Sequence, residues 1–451
     1  MRETLFRAAQ PTGTTASEEL VGQFQDPALT AACWRSSLAP LPVPTTAGPA
    51  GAALVLWPYP ASTSDCIDRA NCADHFVRAY PDYHVLTPHG LADPAGAALL
   101  KDTNVVVFLP FEHALGELAV DAGELLFRGR RCDAVMSELT PGYLWRRALI
   151  DIDPQDPRWP LSTPLVNGSL IAAHKGIQAQ HFARYCHGHD DLVTLDHHRA
   201  TTAGELTGAI EQILAEHQDA VIRPFSASQG TGVTFTGRTE IRRHGAGAET
   251  TRILAEIDAA LSGKYGGNDP FPVTISPFVP AARIDGCVTD LRIFVVYDPA
   301  AGGVRGLPGM VRRAQVPLLD EMPVTAASAL TNLNAPPAAA ASPGRRFFPA
   351  TSPEVMGALG LTPDALIRLC RHAAAIWAQA FTDDNRVTGS GAGGQFAYGS
   401  VDFVIRGADG KAVPIEMNGA NVGSHPTVHP RWCDRFGAAT THALTNLGLA
   451  R

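Results

Sequence analysis

The chain has 451 residues, of which 45% are hydrophobic and 18% charged, with a formal net charge of −8. That length suggests about two to three domains with ample core, and the negative balance argues against a general nucleic-acid binder. No apolar run reaches the length of a membrane span, and the N-terminus MRETLFRAAQPTGTT lacks a signal-peptide core, so a cytoplasmic setting is expected.

Residues 1–50 are weakly patterned and rich in Pro, Thr and Ala near their end. Ala52–Trp57 predicts a buried strand, followed by a helix over Asp68–Tyr80 and strands over Tyr83–Leu86 and Asn104–Leu109. His113–Phe127 reads as a helix, and Leu161–Val166 closes the unit. Strands alternating with helices point to an open, mostly parallel layer.

A second unit starts near Asn167. Lys175–Tyr185 has the spacing of an amphipathic helix. Thr202–His217 is another, with Thr202 and Glu205 spaced as a capping box. Ala220–Arg223 and Val233–Thr236 predict strands on either side of the loop Pro224–Gly232. Thr251–Leu261 predicts a helix, and Val273–Val279 and Asp290–Tyr297 predict strands. Residues 335–345 are low in complexity and predict an exposed loop. Pro363–Phe381 predicts a helix with Leu366, Leu369, Cys370, Ala373, Ile376, Trp377 and Ala380 on one face. Gly389–Gly394 predicts a flexible turn.

Three constellations carry chemistry. The first is Gly399–Pro426. Val401–Ile405 and Val413–Met417 read as strands joined by a turn at Asp409-Gly410. A hairpin there sets Asp402 opposite Glu416, to within about one residue, with Asn418 on the same face. Two carboxylates and an amide oxygen at one spot repel unless a cation joins them, and hard oxygens suit Mg²⁺. The second is the loop in VIRPFSASQGTGVTF, where Ser226, Ser228, Gly230, Thr231 and Gly232 leave backbone N–H groups accessible to a polyphosphate. Arg223 supplies charge there; only four lysines occur, Lys101, Lys175, Lys264 and Lys411, so arginine can stand where other proteins use lysine. The third is the strand TDLRIFVVYD. Asp290 and Arg292 share one face, which reads either as an ion pair or as an Arg presented to phosphate. Arg312 and Arg313, with Asn332 and Asn334, form a further polar set.

In this order the motifs resemble the ATP-grasp superfamily, in its carboxylate–amine (peptide) ligase branch. The resemblance rests on HKGIQAQHFARY with Lys175, VIRPFSASQGTGV, TISPFVP, Asp290-Leu291-Arg292, and Asp402 with Glu416 and Asn418, across residues 165–430. It implies an α/β fold built of α+β subdomains, two of them clasping ATP, preceded by a Rossmann-like pre-ATP-grasp domain. The implied boundaries are 1–165 for that domain, 166–275 for the nucleotide-lid subdomain and 276–451 for the subdomain with the Mg²⁺ site. Arg223 stands where the family usually has Lys. Ser276-Pro277 replaces the acid that often precedes the hinge aromatic, with Asp285 as a substitute. Ser400 stands where some relatives place an Arg.

The resemblance implies an ATP-dependent ligase that joins a carboxylate to an amine through an acyl phosphate, with amino-acid-like substrates, in peptide natural-product biosynthesis. Lys175, Arg223, Ser226, Ser228, Gly230, Thr231 and Gly232 then hold the phosphates, and Phe278 and Val279 the adenine. Arg292, Arg312 and Arg313 act at the reacting phosphate. Asp402, Glu416 and Asn418 hold one or two Mg²⁺, with Mn²⁺ as a substitute. Partners are ATP and small carboxylate and amine substrates, without nucleic acid or membrane, and a homodimer is ordinary for the family. The first domain and the loops near 305–345 and 419–429, with Asn421, Ser424 and His425, shape the acceptor pockets. A small-molecule kinase and a non-catalytic nucleotide-binding protein stay open as alternatives. Asp402→Asn and Glu416→Gln are expected to abolish turnover with the fold intact.

Other groups give weaker signals. His181, His187, His189, His197 and His198 cluster around Cys186, but their irregular spacing specifies no zinc site. The eight cysteines form no CxxC pair, which predicts reduced, mostly buried thiols. Neither Cys287 nor Cys433 has an evident base partner.

Overall fold

A computed structural model describes residues 26–41, 51–59, 65–136, 144, 149–151, 161–167, 170–173, 175–225, 227, 230–265, 269–320, 322–331, 346–388, 396–419 and 430–449. Ser226, Ser228, Asn332, Asn334, Asn421, Ser424 and His425 lie outside the described residues, as do the segments 335–345 and 389–394. The chain is a mixed α/β protein.

Its first helix and strand, α1 (Pro27–Ser36) and β1 (Ala39–Pro40), do not join the unit that follows. They pack on a later sheet, where Ala39 pairs with Val304. The unit itself holds β2 (Leu54–Tyr59), α2 (Asp65–Ala79), β3 (His84–Leu86), α3 (Pro88–Ala92), α4 (Pro94–Asp102) and β4 (Val105–Pro110). Thr87 and Asp93 cap α3 and α4, each with Pro in the first helical turn, where its missing N–H costs nothing. After α5 (Phe111–Gly116) come β5 (Leu118–Asp121), β6 (Glu124–Phe127), β7 (Arg130–Arg131), β8 (Ala134–Met136) and β9 (Leu165–Val166). The order β3-β4-β2-β8-β9 makes one all-parallel sheet. Its strands β2 and β4 are apolar and buried along nearly their whole length, as a sheet covered on both faces requires.

One expectation fails in this unit. His113–Phe127 is not a helix: it stops at Gly116 and turns into the hairpin β5–β6. Ala122 and Gly123 take φ of 46° and 80°, the left-handed pair that a tight hairpin needs. Leu118, Val120, Leu125 and Phe127 alternate along those strands, and across a short window that alternation passes for a helical period.

The next unit holds α6 (Leu170–Ala173), α7 (Lys175–Cys186), β10 (His198–Ala200), α8 (Ala203–Glu216), β11 (Asp219–Pro224), β12 (Thr234–Gly237), α9 (Arg238–His244), α10 (Ala246–Tyr265) and β13 (Val273–Pro277). Strands in the order β10-β13-β11-β12 form an antiparallel sheet. Helices α8 and α10 cover it through Leu206, Ile210, Ile253 and Ile257. Thr202 caps α8 by accepting from the Glu205 N–H, while the Glu205 carboxylate turns back to Thr201 rather than to Thr202.

The last unit is one large antiparallel sheet, β1-β16-β15-β18-β19, with β14 (Arg283–Ile284) on β15 and β17 (Phe347–Pro349) on β16. Its long strands are β15 (Cys287–Asp298), β16 (Gly303–Arg313), β18 (Tyr398–Ile405) and β19 (Ala412–Asn418). Residues 303–313 are therefore a buried strand, where the sequence suggested a loop from 305 onward. Among the described residues, the helices that accompany the sheet besides α1 are α11 (Ala326–Ala329), α12 (Pro353–Ala358), α13 (Pro363–Thr388) and α14 (Pro430–Asn446). All seven apolar residues on the expected face of α13 are buried against it. Gly306 lets the α13 backbone sit directly on β16, for a Cβ there would lie 1.9 Å from the Cys370 carbonyl oxygen.

The first and last units share a core. Phe436 of α14 stacks on Tyr398 and meets Phe294 edge-on, while α14 also packs along α2 beside Phe76. Among the described residues, no helix is long and apolar enough to cross a membrane. Six described cysteines, Cys33, Cys72, Cys132, Cys186, Cys287 and Cys370, are buried free thiols.

Candidate active site

The C-terminal hairpin has the register its sequence calls for. Asp402 pairs with Glu416 and Ser400 with Asn418, and a bulge follows Asp402. Strand β15 lies on the other side of β18, so Arg292 stands opposite Asp402; β16 then brings Arg312 opposite Asp290. Two acids and two arginines meet at the centre of the sheet, and all four are nearly inaccessible to water.

Their geometry is that of a closed ladder. Arg292 donates Nε to Asp402 Oδ1 and Nη2 to Oδ2, both at 2.7 Å. Arg312 donates Nη2 to the same Oδ2 at 2.8 Å and places its fork on Asp290, with Nε 2.8 Å from Oδ1. Thr331 Oγ1 donates to Asp290 Oδ2 at 2.6 Å. Planar bidentate pairing is what makes such buried charges tolerable. Burial works to raise the Asp402 carboxyl, but Arg292 and Arg312 overcome it and hold the group at about 2. Burial lowers Arg312 likewise, and Asp290 and Asp402 more than reverse that, so it stays charged.

Glu416 has a different environment. It is half-buried and accepts from the ammonium of Lys175, the first residue of α7. Gln178, one turn along that helix, explains how Lys175 is held there. Its amide nitrogen donates to the Met417 carbonyl and its oxygen accepts from the Met417 N–H, both at 3.2 Å. The helix thus grips β19 between Glu416 and Asn418. Asn167, with φ of 63°, clamps the open end of the hairpin. Its Oδ1 accepts from the N–H groups of Ala397 and Tyr398, and its Nδ2 donates to the Gly419 carbonyl. No local pattern marks this role of Asn167, which in the sequence reads only as a unit boundary.

One cleft between the two antiparallel sheets gathers about half of the expected residues. Lys175, Arg223, Gly230, Phe278, Val279, Arg312 and Glu416 line it, together with Asp290. Phe278 meets Phe235 edge-to-face at 6.0 Å, and Val221, Val233, Val404 and Ile415 extend this apolar wall. Thr331 reaches this cleft from a separate segment, and no local pattern marks it; Val404 and Ile415 come from the same hairpin as Asp402 and Glu416. Gly230 and Gly232 have φ of 74° and 69°, and a Cβ on Gly232 would stand 2.9 Å from Pro224 Cγ. Burial lowers the Arg223 guanidinium, and the Glu416 carboxylate partly offsets that.

Arg292, Asp402, Asn418, Thr231 and Gly232 are not among the lining residues. The first three form the layer beneath Arg312 and Glu416. Arg313 turns elsewhere, donating to Asp285 at 2.7 Å, and also lies outside the lining. Asp285 is mostly exposed, whereas Arg313 itself is buried.

The donor set suits Mg²⁺ in type. Glu416 and Asn418 are half-buried oxygen donors on one face of β19. Asn418 gives its Nδ2 to Asp402 Oδ2 at 3.2 Å, which leaves its Oδ1 available. Hard oxygens of this kind fit the ion. Asp402 fits in type, but both its oxygens already accept from guanidinium groups. Oδ2 carries three of its four hydrogen bonds, so Oδ1, with one, is the oxygen better placed to ligate.

No family model matches the chain, and no curated protein matches it. Solved structures do. The chain is similar to VanG D-Ala:D-Ser ligase from Enterococcus faecalis at 10% identity, over 87% of this chain and 99% of that one, with a TM-score of 0.44. It is similar to the RimK domain protein ATP-grasp from Sphaerobacter thermophilus at 14% identity, over 87% and 100%, with a TM-score of 0.40. A third is the biotin carboxylase domain dimer of Hydrogenobacter thermophilus 2-oxoglutarate carboxylase, solved with MgADP, ADP and bicarbonate. There the identity is 11%, over 86% and 70%, with a TM-score of 0.42. At these scores the likeness carries no argument about this chain.

Proposed function

We propose that the chain is an ATP-grasp ligase that joins a carboxylate to an amine at the expense of ATP. The observation that carries this reading is the cleft itself. An apolar wall built on Phe278 and Val279 faces a cationic end built on Lys175, Arg223 and Arg312. A purine fits the first and a polyphosphate the second. With the layer beneath included, the cations Lys175, Arg223, Arg292 and Arg312 outnumber the carboxylates Asp290, Asp402 and Glu416, so the site favours an anionic ligand.

In this reading residues 1–165, apart from α1 and β1, which pack on the last sheet, form the pre-ATP-grasp domain, 166–275 the lid and 276–451 the subdomain with the metal-binding hairpin. Glu416 and Asn418, with Asp402, are the residues that hold Mg²⁺, which when bound neutralises charge on the transferring phosphoryl group. The substrate carboxylate attacks the γ-phosphorus and ADP leaves; the amine then attacks the acyl carbon and phosphate leaves. The chain's own contribution is positional. Lys175 and Arg223 hold phosphate oxygens, the glycines of the 224–232 loop let backbone N–H groups approach them, and the Arg292–Asp402–Arg312–Asp290 ladder fixes the guanidinium of Arg312 at the cleft wall. No protein nucleophile is needed. The setting is cytoplasmic, where ATP is supplied.

The test is release of ADP and phosphate with MgATP against pooled amino acids, peptides and amines, followed by mass spectrometry. ADP release that requires two substrates and yields their dehydrated adduct supports the ligase. A phosphorylated product makes the protein a kinase instead, and ATP binding without turnover across the panel favours a non-catalytic role.

A further inference from the structure

Away from the cleft, the far end of α7 carries a cluster that neither the fold nor the ligase reading uses. His189 and Asp191 lie in the turn that follows α7, and His372 comes from the buried face of α13, nearly two hundred positions later in the chain. One donor atom from each of the three lies within 4.8 Å of the others. His372 Nε2 already stands 3.2 Å from Asp191 Oδ1. On a tetrahedral ion with bonds of about 2.0–2.2 Å, adjacent donors are about 3.4 Å apart. That pair is therefore near ligand spacing as it stands, and the His189 donor lies within 4.8 Å of both. The rings of His189 and His372 meet edge-on at 4.8 Å, and Tyr185 stacks on His189 at 4.9 Å.

The surroundings orient the donors. Tyr185 Oη is 3.0 Å from His372 Nδ1, so the other ring nitrogen is the one turned to Asp191. A hydroxyl there accepts from Nδ1–H when Nε2 gives its lone pair to a metal, and the imidazole keeps one proton throughout. The Asp191 backbone is fixed as well: its carbonyl accepts from the Ala412 N–H at 3.0 Å, and Val193 N–H donates to the Ala412 carbonyl at 2.9 Å. Arg368 Nε approaches Asp191 Oδ2 at 3.4 Å, but its side chain is half exposed and free to swing out.

We propose that His189, Asp191 and His372 form a second metal site, selective for Zn²⁺ over Mg²⁺. Two imidazoles and one carboxylate are the ligands of a borderline ion, whereas Mg²⁺ takes oxygens alone. Three protein ligands leave the fourth position to water. The ion ties together the end of α7, the start of β19 and α13. Of these, α7 begins with Lys175 and β19 carries Glu416. The site stands independently of the ligase reading.

The experiment is a Zn²⁺ titration of the full chain by calorimetry, after metal stripping and in excess Mg²⁺, with Co²⁺ absorption as a second probe. One equivalent of Zn²⁺ is expected in the wild type and in Glu416→Gln. His189→Ala sits in a turn and leaves the core alone; it is expected to weaken that equivalent at least about 100-fold, and Tyr185→Phe about tenfold. Thermal unfolding of the wild type rises with Zn²⁺, and that of His189→Ala does not. Undiminished binding in both His189→Ala and Asp191→Asn overturns the proposal, as does a wild type that takes up no Zn²⁺.

Discussion

Arg292 on β15 closes a two-pronged pair on Asp402 of β18, with both N–O distances at 2.7 Å and water excluded from both groups. The relationship alters what mutation of Asp402 means. Asp402→Asn leaves Arg292 without its carboxylate and Arg312 with only Asp290. Breaking a buried pair by removing one partner costs about 3–5 kcal/mol. The expected outcome is a lower urea midpoint with an unchanged slope, together with lost turnover. A wild-type midpoint in Asp402→Asn would show that the ladder adds nothing to stability. The fold-neutral outcome expected from sequence for this variant does not survive the burial seen at Asp402.

Glu416→Gln is the cleaner probe of chemistry. Glu416 and Lys175 retain side-chain exposures of 29% and 13%, so water compensates part of what the change removes. Stability should move by no more than about 1 kcal/mol. Turnover should fall by at least about 100-fold, since a carboxylate ligand to the ion that neutralises the transferring phosphoryl group is lost. ADP-release rates and thermal unfolding, measured on the same preparation, separate the two effects. Full turnover would remove Glu416 from the metal-binding set.

The contrast between these residues shows where the sequence was legible. The Asp409-Gly410 turn and the β-branched runs on either side fix a hairpin register, and register alone sets Asp402 against Glu416. Amphipathic spacing likewise identifies α7, α8 and α13. The partners of Asp402 come from β15 and β16, and no local pattern reports that a third and fourth strand deliver guanidinium groups to the same carboxylate. Arg312 reads as charge in the sequence, but its strand does not, because Gly303–Arg313 mixes Gly, Pro and Arg with its apolar residues. Those glycines are there for close approach, a tertiary cause. Asn167 and His372 were hidden for the same reason: each acts on elements far away in sequence.

Gly306→Ala tests that tertiary cause directly. The added methyl meets the Cys370 carbonyl oxygen, which is helix backbone and cannot rotate away. Overpacking of this kind costs about 1–3 kcal/mol, or more where backbone must move. A drop in melting temperature without loss of nucleotide affinity per folded molecule is expected, because Gly306 lies on the α13 side of the sheet. Unchanged stability would mean that α13 shifts freely along β16.

His197 connects pH with the phosphate site. It is half-buried, its Nδ1–H donates to the Leu195 carbonyl at 2.6 Å, and burial, with the Arg223 charge adding to it, holds its imidazole down at about 4. The ordinary value is about 6.5. Between those values the unfolded chain takes up a proton that the folded chain refuses. Stability therefore rises with pH through this window and is lost as pH falls from about 6.5 toward 4. His181, lowered by its own burial, adds to the same trend. His197→Gln should flatten part of the slope of unfolding free energy against pH. Polyphosphate bound at Arg223 would screen the charge that repels the His197 proton, so nucleotide should raise the His197 pKa. An NMR titration of its ring protons, with and without ATP, reads this directly. An upward shift places phosphate beside Arg223, and a His197 titration indifferent to saturating ATP would move the phosphates away from that arginine.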